Sequence, residues 1–220
     1  MPDTAQAMHR YYADRAPRYD DVYLKPERAA DIAFLQPWLA HHFRGRAVLE
    51  VACGTGFWTP HVASEARHLI ATDGTAEPLA LAKARPGCER VEFALADAYQ
   101  LPESLGRFDA AFAGLWFSHV PKARQASFLA GLHERLHPGS RVVLMDNNES
   151  QLLDFPIIET DGEGNTFQHR SLADGSVHRV LKNFPDESRL RELLQGQATA
   201  VSYRMLDQFW LLSYETVGRA

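Results

Sequence analysis

Glu50, Gly54, Gly56 and Asp73 are residue types able to hold a small charged ligand, and their spacing puts them at the ends of two successive strands. Residues 48 to 59 read Val-Leu-Glu-Val-Ala-Cys-Gly-Thr-Gly-Phe-Trp-Thr. An apolar strand over 47–51 runs into the turn Ala52-Cys53-Gly54-Thr55-Gly56, and a helix-like stretch follows. Glycine lets the backbone approach a ligand closely because no Cβ intervenes. Such a turn lies at the C-terminal edge of a parallel sheet, where open α/β proteins bind ligands. Glu50 adds a carboxylate, which suits an amine and repels a bare pyrophosphate. A dinucleotide fingerprint needs a third glycine, but Phe57, Trp58 and Thr59 follow Gly56. The Gly-Lys-Ser/Thr of a phosphate-binding loop is absent. Asp73 ends the next strand, 23 positions after Glu50. A carboxylate there can accept hydrogen bonds from two ribose hydroxyls, a logic shared with dinucleotide folds. It serves equally well as the N-cap of the following helix. Gly74 and Thr75 complete that loop.

The turn resembles motif I of the class I S-adenosylmethionine-dependent methyltransferases of small-molecule type, acidic-x-Gly-x-Gly-x-Gly. Ala52 stands where the first glycine is usual, and we expect it to make the turn with negative φ. The resemblance spans roughly residues 11 to 216 and implies S-adenosyl-L-methionine as cofactor, held at Glu50, Ala52, Gly54, Gly56, Asp73 and Gly74. It further implies that Asp97, after the third strand, meets the adenine amine and that the Ala98 N–H meets a ring nitrogen. Tyr99 and Leu101 would flank the ring. Phe108-Asp109 and the aromatic exit Gly114-Leu115-Trp116-Phe117 resemble motif IV, which places Leu115 and Trp116 against the methionine part. Aromatic faces favour a sulfonium cation, though core packing explains Trp116 and Phe117 as simply. The segment Tyr-Tyr-Ala-Asp-Arg-Ala-Pro-Arg-Tyr-Asp-Asp (11–21) resembles the N-terminal lid of such enzymes, with Tyr19 near the cofactor carboxylate or methyl.

His119 is the candidate general base. Its ordinary pKa lies near physiological pH, and it falls just past the fourth strand. It is one of ten histidines, and a role capping the next helix accounts for it equally. Methyl transfer from a sulfonium is a direct displacement that needs alignment more than acid–base help.

The elements that must position these residues follow from the pattern. Strands are expected at 47–51, 68–72, 91–95, 108–113 and 141–145, with helices near 58–66, 77–84 and 122–136 between them. This alternation implies an α/β, mostly parallel sheet covered on both faces. His137-Pro138-Gly139 reads as a helix stop. Before the sheet, Pro26 opens a helix that Pro37 should bend or end. After it, Asp174-Gly175 between two extended runs signals a hairpin. A helix over 186–195 and two final strands, 198–206 and 209–216, complete the chain. We therefore expect one Rossmann-like domain over 1–220, with seven strands in the main sheet and a terminal antiparallel hairpin. A helical lid covers 1–40, the cofactor-binding half 41–146, and an insertion hairpin after strand five plus the last strands 147–220. Arg170, Arg179 and His169 on that insertion could face the substrate, but a solvated face is the reading preferred.

The chain has 220 residues, 45% of them hydrophobic and 23% charged, with a net charge of −5. This is the composition of a globular domain and argues against a nucleic-acid backbone as partner. Two cysteines, Cys53 and Cys88, make neither a disulfide framework nor a zinc cluster. No apolar run reaches membrane-span length and the start lacks a signal-peptide pattern, so a cytoplasmic protein with no membrane partner is expected. The expected activity is methyl transfer to a small aromatic or heteroaromatic acceptor, since the exit from strand four is aromatic and lacks an Asn-Pro-Pro-Tyr-type motif. A non-catalytic cofactor-binding or regulatory protein on the same fold is the alternative. A nicotinamide-dependent oxidoreductase is disfavoured by Glu50 and the missing third glycine.

Overall fold

From Ala47 onward strands and helices alternate, and the crossovers between them build a parallel sheet. The protein is described by a computed structural model covering residues 11, 12 and 14–218. The first part of the helical lid expected over 1–40 lies outside these residues; Tyr11, Tyr12, Asp14 and Arg15 are helical. A 3-10 segment, Ala16–Leu24, leads through a short turn into α1 (Ala29–Phe43). Then come β1 (Ala47–Val51), α2 (Thr59–Ala63), β2 (His68–Asp73), α3 (Ala76–Lys83), β3 (Glu92–Leu95) and β4 (Phe108–Gly114). They are followed by α4 (Gln125–Glu134), β5 (Leu136–Asn147), β6 (Ile157–Thr160), β7 (Thr166–Ser171), β8 (Val177–Leu181), α5 (Glu187–Leu193), β9 (Ala198–Met205) and β10 (Phe209–Thr216).

The seven-stranded sheet has the order β3-β2-β1-β4-β5-β10-β9. β1 pairs in parallel with β2 on one side and β4 on the other, while β10 runs antiparallel to β5 and β9. The chain winds outward from β1 to β3 and then returns to β4, so the strand order reverses between β1 and β4. Ligands bind in the crevice at such a switch point.

Alternate residues of the central strands fill two cores. Leu49, Val51, Ala111, Ala113, Val142 and Leu144 pack with Phe128, Leu129 and Leu132 of α4. Val48, Ala110, Phe112, Val143 and Met145 pack with Leu35, Leu39 and Phe43 of α1. This is the near-continuous apolar run of a strand buried on both faces.

Several expected boundaries are corrected. Pro37 does not end α1, because Leu35, Leu39 and Phe43 are wholly buried and anchor the helix on either side of it. Pro37 and Ala33, whose carbonyl loses its partner, both face the exposed side. His137-Pro138-Gly139 lies inside β5 rather than in a loop. A bulge absorbs it: Phe108 pairs with Leu136 while Ala110 pairs with Arg141, and Gly139 takes φ +75°. The insertion after β5 is a three-stranded antiparallel sheet, β6-β7-β8, not a hairpin. Its second turn is the one expected: the Asp174 carboxylate accepts from the Ser176 N–H at 2.9 Å, and Gly175 has φ +84°. The first turn is Asp161-Gly162-Glu163-Gly164. It carries the same Asp-Gly signal, but β6 is exposed along its whole length and so shows no apolar alternation.

Candidate functional site

The Gly-rich turn is held open by specific bonds. Ala52 has φ +55° rather than the negative value expected. Leu115, at the end of β4, has φ +58°. Both non-glycine residues therefore sit in the left-handed region at the two strand ends of the switch point, a conformation that costs roughly 1–2 kcal/mol each. Such strain gathers at ligand sites. Gly54 has φ +57° with open space where a Cβ would project. Gly56 differs: a Cβ there would stand 2.8 Å from the Ala82 Cβ. Gly56 thus lets the turn lie against α3, and it is absent from the cavity wall.

A cavity of about 370 Å³ opens above this turn. Tyr19, Glu50, Ala52, Gly54, Asp73, Gly74, Asp97, Ala98, Leu115, Trp116 and His119 all line it. Of the residues expected to hold or flank the cofactor, Gly56, Leu101 and Phe117 stand outside the lining, the last two packed with the core.

Glu50 is 2% exposed, and its Oε2 has no hydrogen-bond partner. Burial, with some repulsion from Asp73, pushes its carboxyl up to about 8. An orphaned buried carboxyl beside a cavity fits a ligand that brings an ammonium group. Asp73 spends part of its capacity on the protein, since Oδ2 accepts from Gly54 N and Oδ1 from Thr75 N, each at 2.8 Å. It therefore shapes both loops. A carboxylate has about four acceptor directions, and Asp73 also lines the cavity. Asp97 is exposed, and its Oδ1 accepts from Tyr99 N at 2.9 Å. Tyr99 meets Trp116 edge to face, ring centres 5.8 Å apart, and the Arg124 guanidinium lies over its ring, 3.5 Å from the centre. Asp109, at the opposite edge of the sheet, accepts from Ala47 N and from Arg67. Its work is to tie β4 to the start of β1.

The N-terminal segment latches onto the turn. Asp20 accepts from the Thr55 hydroxyl at 2.6 Å and pairs with Arg85, whose Nε also donates to Thr55 O. Tyr23 stacks on Phe57 at 3.7 Å, and Tyr19 faces the cavity. The insertion sheet closes the other side through Asp161, Asn165, Phe167 and Leu181. It is pinned by a buried ion pair between Lys182 and Asp146 at 2.8 Å, both 1% exposed or less. Ser118 joins them, its hydroxyl accepting from Lys182 at 2.6 Å and its N–H donating to Asp146 at 2.9 Å. Burial opposes the Asp146 charge, but the Lys182 ammonium outweighs it and holds the carboxyl below its usual range.

His119 is half-buried between both covers, on the cavity wall. Its Nδ1 lies 2.6 Å from the Leu181 carbonyl, and its Nε2 lies 2.7 Å from the Tyr12 hydroxyl. A carbonyl only accepts, so Nδ1 carries the proton and the Tyr12 hydroxyl donates to Nε2. Burial, reinforced by the Lys182 charge, pushes the imidazole down to about 3. The ring is neutral throughout the physiological range.

Sequence reading missed Arg28, Asp146, Lys182 and Arg124. Asp146 carried a usable signal, a carboxylate at a strand end like Asp73. Arg28 and Lys182 carried none, because only the fold buries them. Arg170 is 5% exposed, not solvated as expected, while Arg179 is half-exposed and pairs with Glu159.

Residues 48–139 match the family model of a methyltransferase domain. The chain is 33% identical over 153 residues to a demethylmenaquinone methyltransferase of Clavibacter sepedonicus, a match spanning 69% of this chain and 59% of that protein. The fold superposes on a complex of DhpI with SAM and HEP at TM-score 0.80 and 31% identity, covering 97% of this chain and 98% of that one. A DhpI–SAH complex matches at TM-score 0.80 and 28% identity, covering 98% of each.

Proposed function

Since this chain belongs to the class I S-adenosylmethionine-dependent methyltransferases, we propose that it transfers a methyl group to a small molecule bearing an aromatic or heteroaromatic ring. The observation that carries this reading is the orphaned, buried Glu50 carboxyl on the same cavity wall as Asp73 and Asp97. Glu50 would take the cofactor's amine, Asp73 its ribose hydroxyls, and Asp97 with the Ala98 N–H its adenine edge. Tyr19, Leu115 and Trp116 would flank the methionine part. The cofactor supplies an electrophilic methyl group on a sulfonium. The chain's own contribution is alignment and the exclusion of water. Tyr12, Tyr19, Trp116 and Phe167 form an aromatic surround in which a flat acceptor can lie.

His119 stands at the acceptor end. An acceptor hydroxyl that takes the place of the Tyr12 hydroxyl would find Nε2 ready to receive its hydrogen bond. With the imidazole pushed down to about 3, full proton transfer to it is uphill at neutral pH. His119 thus serves as an orienting acceptor, and a nucleophile that is already anionic or a neutral amine needs nothing more.

Calorimetry with S-adenosylhomocysteine and, separately, NAD tests the cofactor. Binding of the first and not the second is expected, with a rise in Tm. A folded sample that ignores millimolar S-adenosylhomocysteine would refute the cofactor assignment. Release of S-adenosylhomocysteine from S-adenosylmethionine in the presence of a panel of phenols and heteroaromatic amines tests the acceptor class. Binding without turnover across the panel would favour a non-catalytic role.

A further inference from the structure

We propose that Arg15, Arg28 and Arg170 form an oxyanion-binding end to the acceptor site, so that the small molecule methylated carries a carboxylate or a phosphate-type group. This deepens the reading above and rests on it. The three arginines line a side chamber of about 30 Å³. The chamber shares Tyr12, Tyr19, Leu115 and His119 with the main cavity, so the two are continuous past the end of β4.

Arg28 is 1% exposed; its Nη1 donates to the Asn147 amide oxygen at 2.8 Å, and its Nε–H finds no acceptor. Arg170 is 5% exposed; its Nη2 donates to the Gln168 amide oxygen at 2.6 Å, and its Nε–H likewise finds none. Each buried guanidinium therefore rests on a neutral amide. Arg15 donates to the Tyr11 hydroxyl at 3.0 Å and lies 4.9 Å from the Tyr19 ring centre. Among the described residues, no carboxylate oxygen comes within 4.0 Å of any of the three. Lys182, also on the chamber wall, is already neutralised by Asp146.

A buried charge without a counter-ion is costly, and like charges gathered in one chamber repel. Burial accordingly pulls both Arg28 and Arg170 below the ordinary guanidinium range. Two of these arginines lie in different elements, Arg28 just before α1 and Arg170 on β7, so the fold assembles the cluster from distant chain. The planar guanidinium fork matches a carboxylate or phosphate in two-point contact. Glu50, Asp73 and Asp97, which answer the cofactor, are confined to the main cavity. The arginine chamber thus adjoins the main cavity at Leu115 and His119 and not at those carboxylates.

The test uses protein saturated with S-adenosylhomocysteine, whose binding is measured first; failure at that step speaks against the cofactor reading alone. Benzoate, phenyl phosphate and neutral benzamide are then titrated by calorimetry. At least one anion is expected to bind about ten- to a hundredfold more tightly than benzamide. The preferred anion identifies the group. Arg170→Gln should abolish that preference, with S-adenosylhomocysteine affinity changed less than about twofold, and Arg170→Lys should restore part of it. Equal binding of benzamide and both anions would overturn the proposal, as would an unchanged preference in Arg170→Gln. A comparable loss of S-adenosylhomocysteine affinity in Arg170→Gln would also overturn it, because the chamber would then hold the cofactor's carboxylate. Arg28→Gln provides a second variant with the same expectations should Arg170→Gln fail to fold.

Discussion

Glu50, buried, and His119, half-buried, are both titratable and both displaced far from their ordinary pKa values, yet they lead to opposite expectations. A carboxyl raised to about 8 binds more protons in the folded state than in the unfolded one. Its contribution to stability is therefore greatest below about pH 4.5 and is lost as pH rises toward 8. An ammonium group docking beside it reverses the preference and drives the proton off. S-adenosylhomocysteine binding at pH 7 should then release about one proton per site. Calorimetry in two buffers of different ionisation enthalpy measures this directly. Glu50→Gln should release none and should bind more weakly by about 1.5–3 kcal/mol, the scale for a hydrogen bond to a charged group. Buffer-independent heats in the unmodified protein would remove Glu50 from the amine site. His119, by contrast, is held neutral by burial and by the Lys182 charge. Its ring resonances should not titrate between about pH 5 and 8 by NMR. A midpoint near the ordinary value would show that the imidazole is open to water and free to act as a base.

At the level of elements, the insertion sheet is fastened to the parallel sheet and the turn after β4 by several bonds, with Lys182–Asp146 as a buried ion pair among them. Removing one member leaves the other charged and dry. Lys182→Met should cost about 3–5 kcal/mol of unfolding free energy, while Lys182→Met with Asp146→Leu should recover most of the loss. Chemical denaturation of the three proteins decides it, and equal losses in the single and double variants would mean that the pair is not coupled. The insertion also shows how far element signals reach. The Asp174-Gly175 hairpin was legible because apolar runs flank it. β6 was not, because an exposed strand has no reason to alternate. Gly139 within β5 likewise carried a true turn signal, which the sheet used for a bulge.

Two covers meet over the cavity, and the N-terminal one is tied to the cofactor turn itself. The bond from Thr55 to Asp20 and the Asp20–Arg85 pair join residues 35 and 65 positions apart. We expect this segment to act as a lid that a bound ligand stabilises. S-adenosylhomocysteine should slow proteolytic cleavage within residues 14–24, and Asp20→Ala should weaken that protection while leaving the rest of the chain resistant. Cleavage at one rate with and without ligand, in the unmodified protein, would count against a lid.

The sequence by itself determined the order of strands and helices, the Gly-rich turn, and the carboxylates at Glu50, Asp73 and Asp97. These are local facts: a strand ends, a turn follows, and the next residue must sit at the sheet edge. Their family likeness was legible for the same reason, because a motif is a fixed spacing along one stretch of chain. The tertiary structure decided what each group experiences. Only packing left the Glu50 Oε2 without a partner and pushed the His119 imidazole down, since desolvation depends on what lies overhead rather than on neighbours in sequence. Only packing turned Arg170 inward, brought it to one chamber with Arg28 across the fold, and, among the described residues, set no carboxylate beside either. A cluster of like charges assembled from separate elements has no periodicity and no spacing, so no reading of the chain alone can find it.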